Sequence, residues 1–316
     1  MIKSCLTHYD LDGVSCAIVL NKVFEFDQIL RGGYGRIPEL IDQIPDDASI
    51  IVADLVISES DYEKLLDKSK GKLIIIDHHP ETNKLKEKYP KHPIYYAEDK
   101  AGVMLCYELL QKKGMRFSLD MYELSRYANA YDLFKRKEEK ALFTEGFNLN
   151  ILFWKYHFDA FFDRFQHGFD GYTEEELKFI GYSRKMQKEM LESANYHEFL
   201  GNKSKALVSV LDNSSIINEV PYYKTGYDVY FMITKFKNNI NISVRAGDNG
   251  LIINSPCKEI EKSKYVSSAG GHPQACGITV DADTPDEALT RIILTYYKLL
   301  EETNADILNS KTKSRS

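Results

Sequence analysis

No stretch of the 316-residue chain approaches the roughly 18 consecutive apolar residues that a membrane span needs. The opening Met-Ile-Lys-Ser-Cys-Leu-Thr-His has no long apolar core of the kind a secretion signal carries. Cysteine is scarce, five residues, an odd number without paired spacing, which excludes a disulfide framework and argues for reduced thiols in a cytoplasmic setting. Basic charge is not in excess either: the net charge is −6, so a protein that coats nucleic acid through a positive surface is excluded. A small phosphate ester held by bound metal ions is not, because the ions set the local field. What is present is 43% hydrophobic and 12% aromatic content, enough for packed cores in two domains at this length.

The stretch Thr7-His8-Tyr9-Asp10-Leu11-Asp12-Gly13 follows a short apolar run, Ile2 to Leu6, and precedes a helical pattern from Val14 to Phe26. It reads as a strand-to-helix turn. If the turn stays extended, His8, Asp10 and Asp12 project to one side, since side chains alternate along such backbone, and an imidazole with two carboxylates makes a cation site. The plain alternative is a polar turn with Asp12 as helix N-cap and Gly13 easing the bend.

Further on, Gln28 to Tyr34 suggests a short strand, and Ala48 to Ala53 is a compact Ile/Val run that stops at Asp54. Such runs suit a parallel strand buried on both faces. Ser58-Glu59-Ser60-Asp61 opens a helix that runs to about Lys70 and is closed by Gly71. Lys72 to Ile76 repeats the strand pattern and ends in Asp77-His78-His79-Pro80. Alternating strands and helices predict an open parallel α/β sheet, and ligands of such sheets collect at the carboxyl ends of the strands. Acid and imidazole groups stand at three of those ends. Without a cation this crowding is costly, because neighbouring carboxylates repel.

The set offers nitrogen and oxygen but no thiolate. It suits Mn²⁺ best, with Mg²⁺, Fe²⁺ or Co²⁺ as alternatives. Its ligands are too many for one ion; two ions sharing a carboxylate fit better, the arrangement that clamps a phosphoryl group for in-line attack.

Ile94 to Tyr96 predicts another strand, Gly102 to Lys112 and Ser118 to Ala130 predict helices, and Asp132 reads from spacing alone as a surface residue. From Phe143 to about Phe199 the pattern is helical, with Glu174 to Phe199 as a connecting helix. The stripe Trp154, Phe158, Phe161, Phe162 and Phe165 reads as packing in preference to a base-stacking platform. A second unit starts near Lys205: Ala206 to Leu211 is a strand, and Tyr227 to Phe236 with Ile240 to Arg245 form a hairpin turned by Asn238-Asn239. The run Ser268-Ala269-Gly270-Gly271-His272 either lets backbone N–H groups approach an anion or is a tight turn with an exposed histidine.

Taken together, His8-Tyr9-Asp10-Leu11-Asp12-Gly13, Asp54, Asp77-His78-His79 and Asp132 resemble the successive motifs of the DHH phosphoesterase superfamily. Arg245 and the Gly-Gly-His-x-x-Ala-x-Gly run at 270 to 277 resemble its DHHA1 companion domain. The compact His-x-Asp-x-Asp-Gly spacing is most similar to the nanoRNase B type of oligoribonuclease. The resemblance implies an α/β protein of two domains: a parallel-sheet DHH domain over residues 1–172, a connecting segment over 173–203, a smaller DHHA1 substrate-binding domain over 204–303 and a tail over 304–316, with the active-site cleft between the domains.

It also implies roles. His8 and Asp10 would hold one divalent ion, Asp12, His78 and Asp132 a second, and Asp54 would bridge the two; Asp77 would orient a ligand imidazole. His79 would face the scissile phosphate, Arg245 would grip a substrate phosphate, and Gly270, Gly271 and His272 would bind the far phosphate or terminal nucleotide. Ser268 and Ala269 depart from the usual four-glycine run. The implied activity is hydrolysis of short single-stranded oligonucleotides or dinucleotides to mononucleotides. Cyclic-dinucleotide or 3′-phosphoadenosine phosphate hydrolysis is the alternative, and an inorganic pyrophosphatase or a non-catalytic scaffold is further off. No stable protein partner is implied, and a homodimer is compatible with the reading.

Overall fold

The computed structural model describes residues 2–136, 138–201, 204–211, 214–235, 239–247, 251–272, 274–284 and 286–307. Two compact units divide the chain, Met1–Gly181 and Tyr182–Ser316. The sequence-expected turn residue Asn238 and the tail from Asn309 onward lie outside the described residues.

In the first unit, strands β1 (Lys3–His8), β2 (Gln28–Gly32), β3 (Ser49–Ala53), β4 (Leu73–Asp77) and β5 (Ile94–Tyr96) form one sheet in the order β2-β1-β3-β4-β5. Every pairing is parallel. Helices α1 (Leu11–Phe24), α2 (Ile37–Asp42), α3 (Glu59–Ser69), α4 (Pro80–Lys88), α5 (Gly102–Lys112), α6 (Leu119–Asp132) and α7 (Lys140–Phe165) complete it, and α8 (Glu174–Ser193) contains the division between the units. The expected Ile/Val runs bury on both faces, with Ile74 partly exposed: Ile50, Val52 and Ile75 pack with Leu40, Ile41 and Leu65 on one face, while Ile51 and Ile76 pack with α1 and α5 on the other. Burial on both faces is why these strands lack polar alternation.

Several boundaries differ from the sequence reading, each for a local reason. Helix α1 starts at Leu11, because Asp10, in extended conformation, accepts the N–H of Gly13 and caps it; the N-cap is Asp10 and not Asp12. Asp12 therefore lies inside the first helical turn and does not continue an extended run. Ser58 caps α3 as its composition suggests. The helix expected to reach Phe199 ends at Ser193, since Asn195–Leu200 pairs antiparallel with the following strand.

The second unit holds a mixed sheet in the order β10-β11-β9-β8-β7-β6, built from β6 (Asn195–Leu200), β7 (Lys205–Leu211), β8 (Val229–Lys235), β9 (Asn239–Ala246), β10 (Val266–His272) and β11 (Ala275–Asp281). Only β7 and β8 pair in parallel. One face packs Phe231, Ile242, Val244, Ile278 and Val280 against α10 (Asn254–Ile260) and α11 (Asp286–Thr303). The other packs Leu207, Tyr230 and Met232 with Ile216 and Val220, the latter at the start of the short α9 (Val220–Tyr223). The fold is thus the expected α/β arrangement, a parallel sheet followed by a separate mixed one.

Candidate metal centre

The registers Thr7↔Ala53 and Ala53↔Ile76 bring the carboxyl ends of β1, β3 and β4 side by side. His8 ends β1, Asp54 follows β3, and Asp77 ends β4 with His78 and His79 after it. Asp54 adopts a left-handed backbone, φ 52°, a conformation an aspartate tolerates better than a branched residue, while its N–H still donates to the Ile76 carbonyl at 3.0 Å.

Three groups of ligand atoms converge, each within 4.8 Å: His8, Asp10 and Asp54; Asp12, His78 and Asp132; and Asp54, Asp77, His78 and His79. Asp54 belongs to two of them. His78 Nε2 lies 3.3 Å from Asp54 Oδ1, 3.4 Å from Asp132 Oδ2 and 4.0 Å from Asp12 Oδ2. Asp132, which spacing alone placed on the surface, is the last residue of α6; the residue is indeed exposed, its side chain 27% so, yet its carboxylate reaches His78. Helix packing, invisible in a local pattern, brings it in.

Hydrogen bonds fix the rest. His8 Nδ1 lies 2.6 Å from Asp10 Oδ2. Asp77 is fully buried, and both its oxygens are engaged, one with His79 Nδ1 at 2.7 Å and the other with the Thr82 hydroxyl. That occupancy suits an orienting group better than a ligand, although Asp77 lies within the cluster's reach. Asp12 accepts the N–H groups of Gly102 and Val103 at 2.7 and 2.9 Å, so the N-terminus of α5 points its unsatisfied donors at this carboxylate. A Cβ on Gly102 would stand 2.8 Å from the Asp54 Cβ and 3.0 Å from Asp12 Oδ2, which is why glycine opens that helix. Asn129 of α6 accepts the Ala101 N–H at 2.9 Å and ties the α5 start to the helix carrying Asp132. Sequence reasoning missed Gly102 and Asn129; a glycine at a helix start was the only signal for the first, and none pointed to the second.

The protonation balance reflects the crowding. Burial, then the charge of Asp132, push Asp12 up to about 7, and burial, then Asp10, push Asp132 up to about 7. Asp54 is raised well above the carboxylate range by burial and by Asp12, Asp10 and Asp132. Burial lowers His78. Although burial opposes it, the hydrogen bond that His79 donates to Asp77 carries the imidazole up to about 9, and Asp10 likewise outweighs burial in raising His8.

Asp54 Oδ2 is buried without a hydrogen-bond partner among the described residues. An orphaned oxygen on a carboxylate that belongs to two acid and imidazole groups fits a cation, and nothing in the set favours a soft-metal thiolate site. When ionised, Asp10, Asp12, Asp54 and Asp132 carry −4, a charge that bound cations would offset.

In the second unit, Arg245 of β9 donates to Asn218 Oδ1 at 3.2 Å from Nε and 3.0 Å from Nη2. Gly270 and Gly271 lie in β10, opposite Gly277 and Cys276 of β11. The glycine run is therefore an edge strand, neither an isolated loop nor a tight turn. Gly271 has φ 141°, and a Cβ there would meet the Ala275 carbonyl oxygen at 2.4 Å. His272 closes β10, and its side chain lies outside the described residues.

Comparison with known proteins places these observations. No curated protein sequence matches the chain. Among solved structures it is similar to the DHH domain of PF0399, a member of the s1p family of ribosomal proteins, at 12% identity and a TM-score of 0.65, covering 95% of this chain and 86% of that one. It is also similar to PggH, the pGpG-specific phosphodiesterase of Vibrio cholerae, at 14% identity and a TM-score of 0.56 over 97% and 100% of the two chains. RecJ from Thermus thermophilus, solved in complex with Mn²⁺, aligns at 14% identity and a TM-score of 0.53 over 95% of this chain and 52% of its own. At such identities the likeness is one of fold. Residues 4–133 match the DHH family, N-terminal domain, a span that contains every acid and imidazole of the cluster. The segment that builds this centre is thus the one that matches the DHH family, N-terminal domain.

Proposed function

We propose that the protein is a metal-dependent phosphodiesterase that hydrolyses short single-stranded oligonucleotides or linear dinucleotides to mononucleotides, in the manner of the nanoRNase type. The observation that carries this reading is Asp54, a buried carboxylate with one unpartnered oxygen between two ligand groups. His8 and Asp10 would hold one ion and Asp12, His78 and Asp132 the other, with Asp54 within reach of both; Mn²⁺ would suit this nitrogen and oxygen set best. When bound, such a pair acidifies a coordinated water and clamps phosphoryl oxygens.

The remaining work falls to the chain's own groups. His79, protonated near neutral pH because Asp77 holds its pKa up to about 9, donates a hydrogen bond to a phosphoryl oxygen as negative charge grows there. Asp77, anchored by Thr82, keeps that imidazole aimed. Residues 204–303 form the substrate-binding domain, in which Arg245, steadied by Asn218, grips a phosphate through its guanidinium fork. Gly270, Gly271 and His272 receive the terminal nucleotide. The fold shared with a pGpG-specific phosphodiesterase favours a linear dinucleotide over a cyclic one. The complete ligand set speaks against a non-catalytic scaffold.

A panel of labelled short and long RNA and DNA, linear and cyclic dinucleotides, 3′-phosphoadenosine phosphate and pyrophosphate, each with Mn²⁺, tests the assignment. Release of mononucleotides from the linear dinucleotide and short RNA, with long strands and pyrophosphate little affected, is expected. Faster turnover of pyrophosphate, or none of any nucleotide, would overturn it.

A further inference from the structure

Trp154 is the only tryptophan in the sequence and is 55% exposed, whereas Phe158, Phe161 and Phe165 of the same helix are buried. The aromatic stripe of α7 is thus packing in its lower part but not at Trp154. Single exposed hydrophobic side chains are ordinary on a protein surface, and what sets this indole apart is what backs it. Its inner side rests against Phe153, centroids 5.3 Å apart and nearly perpendicular, and against Tyr9, centroids 6.3 Å apart. Tyr9 is the residue between His8 and Asp10, the first ligand group of the metal centre.

Two further features hold this platform in place. Tyr9 also stacks on Phe158 at 6.2 Å, and the Arg31 guanidinium lies over the Phe158 ring at 5.1 Å. Arg31 stands opposite Thr7 in the sheet, one step before Gly32 meets His8, so this cation and the aromatic cluster adjoin the carboxyl end of β1. Between Trp154 and Phe158 the helix is interrupted at His157, with φ 59° and ψ 179°, a backbone region that a residue with a Cβ rarely occupies. Such strain persists where the surroundings demand a particular placement. Phe158, just past this break, lies against Tyr9, while Trp154, just before it, stays exposed.

We propose that the exposed face of Trp154, backed by Tyr9 and Phe153, is the stacking platform for a nucleobase of the nucleotide whose phosphate lies at the metal centre. This assignment rests on the phosphodiesterase reading above and adds a base-binding subsite within the first unit. Every base offers a π face, so stacking on an indole binds nucleotides with little sequence preference. The subsite therefore selects for a nucleobase without selecting which one.

Because the chain has a single tryptophan, its emission reports the subsite directly. Adenosine 5′-monophosphate titrated into the Mn²⁺-loaded protein is expected to quench that emission saturably, and ribose 5-phosphate is not. Trp154→Ala is expected to raise KM for a linear dinucleotide roughly tenfold, Trp154→Phe to restore most of it, and neither to alter KM for an abasic dinucleotide. Absence of quenching, or equal KM in wild type and Trp154→Ala while the wild type cleaves dinucleotides, overturns the subsite and leaves the phosphodiesterase reading standing. Saturable quenching by the nucleotide in a protein that hydrolyses no phosphodiester overturns that reading and leaves the subsite.

Discussion

The backbone N–H of Gly102 donates to Asp12 Oδ2 at 2.7 Å, so a carboxylate of the candidate metal centre is also the group bound at the N-terminus of α5. The contact is tight enough that there is no room for a side chain: a Cβ on Gly102 would press on both Asp12 and Asp54. Gly102→Ala is expected to cost about 1–3 kcal/mol of stability by overpacking and to lower Mn²⁺ affinity at least tenfold. Thermal melts with and without Mn²⁺, together with calorimetric titration of the ion, measure both. Unchanged affinity in the variant would separate the α5 start from the ligand geometry.

Asp54 is the member of the cluster whose charge is least compensated by the chain itself. Asp54→Asn is expected to stabilise the metal-free protein at pH 8 by about 1–3 kcal/mol, because it removes a buried carboxylate from beside three others. The same substitution should leave fewer than two tightly bound Mn²⁺ ions and lower kcat by three orders of magnitude or more. Denaturant unfolding of the metal-free forms and metal content after gel filtration check the two halves independently.

The raised carboxylates set a pH dependence of definite sign. Asp12 and Asp132 titrate near 7 in the folded chain and near 4 when unfolded, so between those values the folded state binds more protons. Stability of the metal-free protein therefore falls as pH rises through that window. Its Tm is expected to drop by roughly 5 °C between pH 5 and 8, and Mn²⁺ to raise Tm more at pH 8 than at pH 5. A metal-free Tm that climbs over this range would contradict the crowding.

In the proposed reaction Asp77 acts through His79, to which one of its oxygens is hydrogen-bonded, while the other is held by Thr82. Asp77→Asn removes the hydrogen-bonded charge that raises His79 to about 9, returning the imidazole toward its ordinary value of about 6.5. The alkaline limb of the kcat profile is expected to move down by about two pH units, and activity at neutral pH to fall 10–100-fold. A profile that drops in height without moving would assign Asp77 to metal geometry alone.

Much of this protein is legible without coordinates. Runs such as Ser49–Ala53 and Leu73–Asp77 are apolar because they are buried on both faces, and acids at their ends announce the parallel sheet and the place where its ligands gather. Local patterns also located the capping at Ser58 and the start of α5. They misplaced features whose cause is distant in sequence. Asn195–Leu200 reads as helix until β7 offers it a pairing edge, and the glycine run before His272 reads as anion-approaching backbone or a tight turn until β11 makes it a strand.

What the sequence determined by itself was therefore the set of chemical groups, the order in which they appear and the sheet that carries most of them, since burial and alternation are written into neighbouring residues. Only the tertiary structure decided that Asp132 at the end of α6 faces His78, that the α5 backbone seals Asp12, and that Trp154 stays in solvent beside Tyr9. Each depends on the angle at which one helix packs against another, and that angle is set by contacts between residues far apart in the chain.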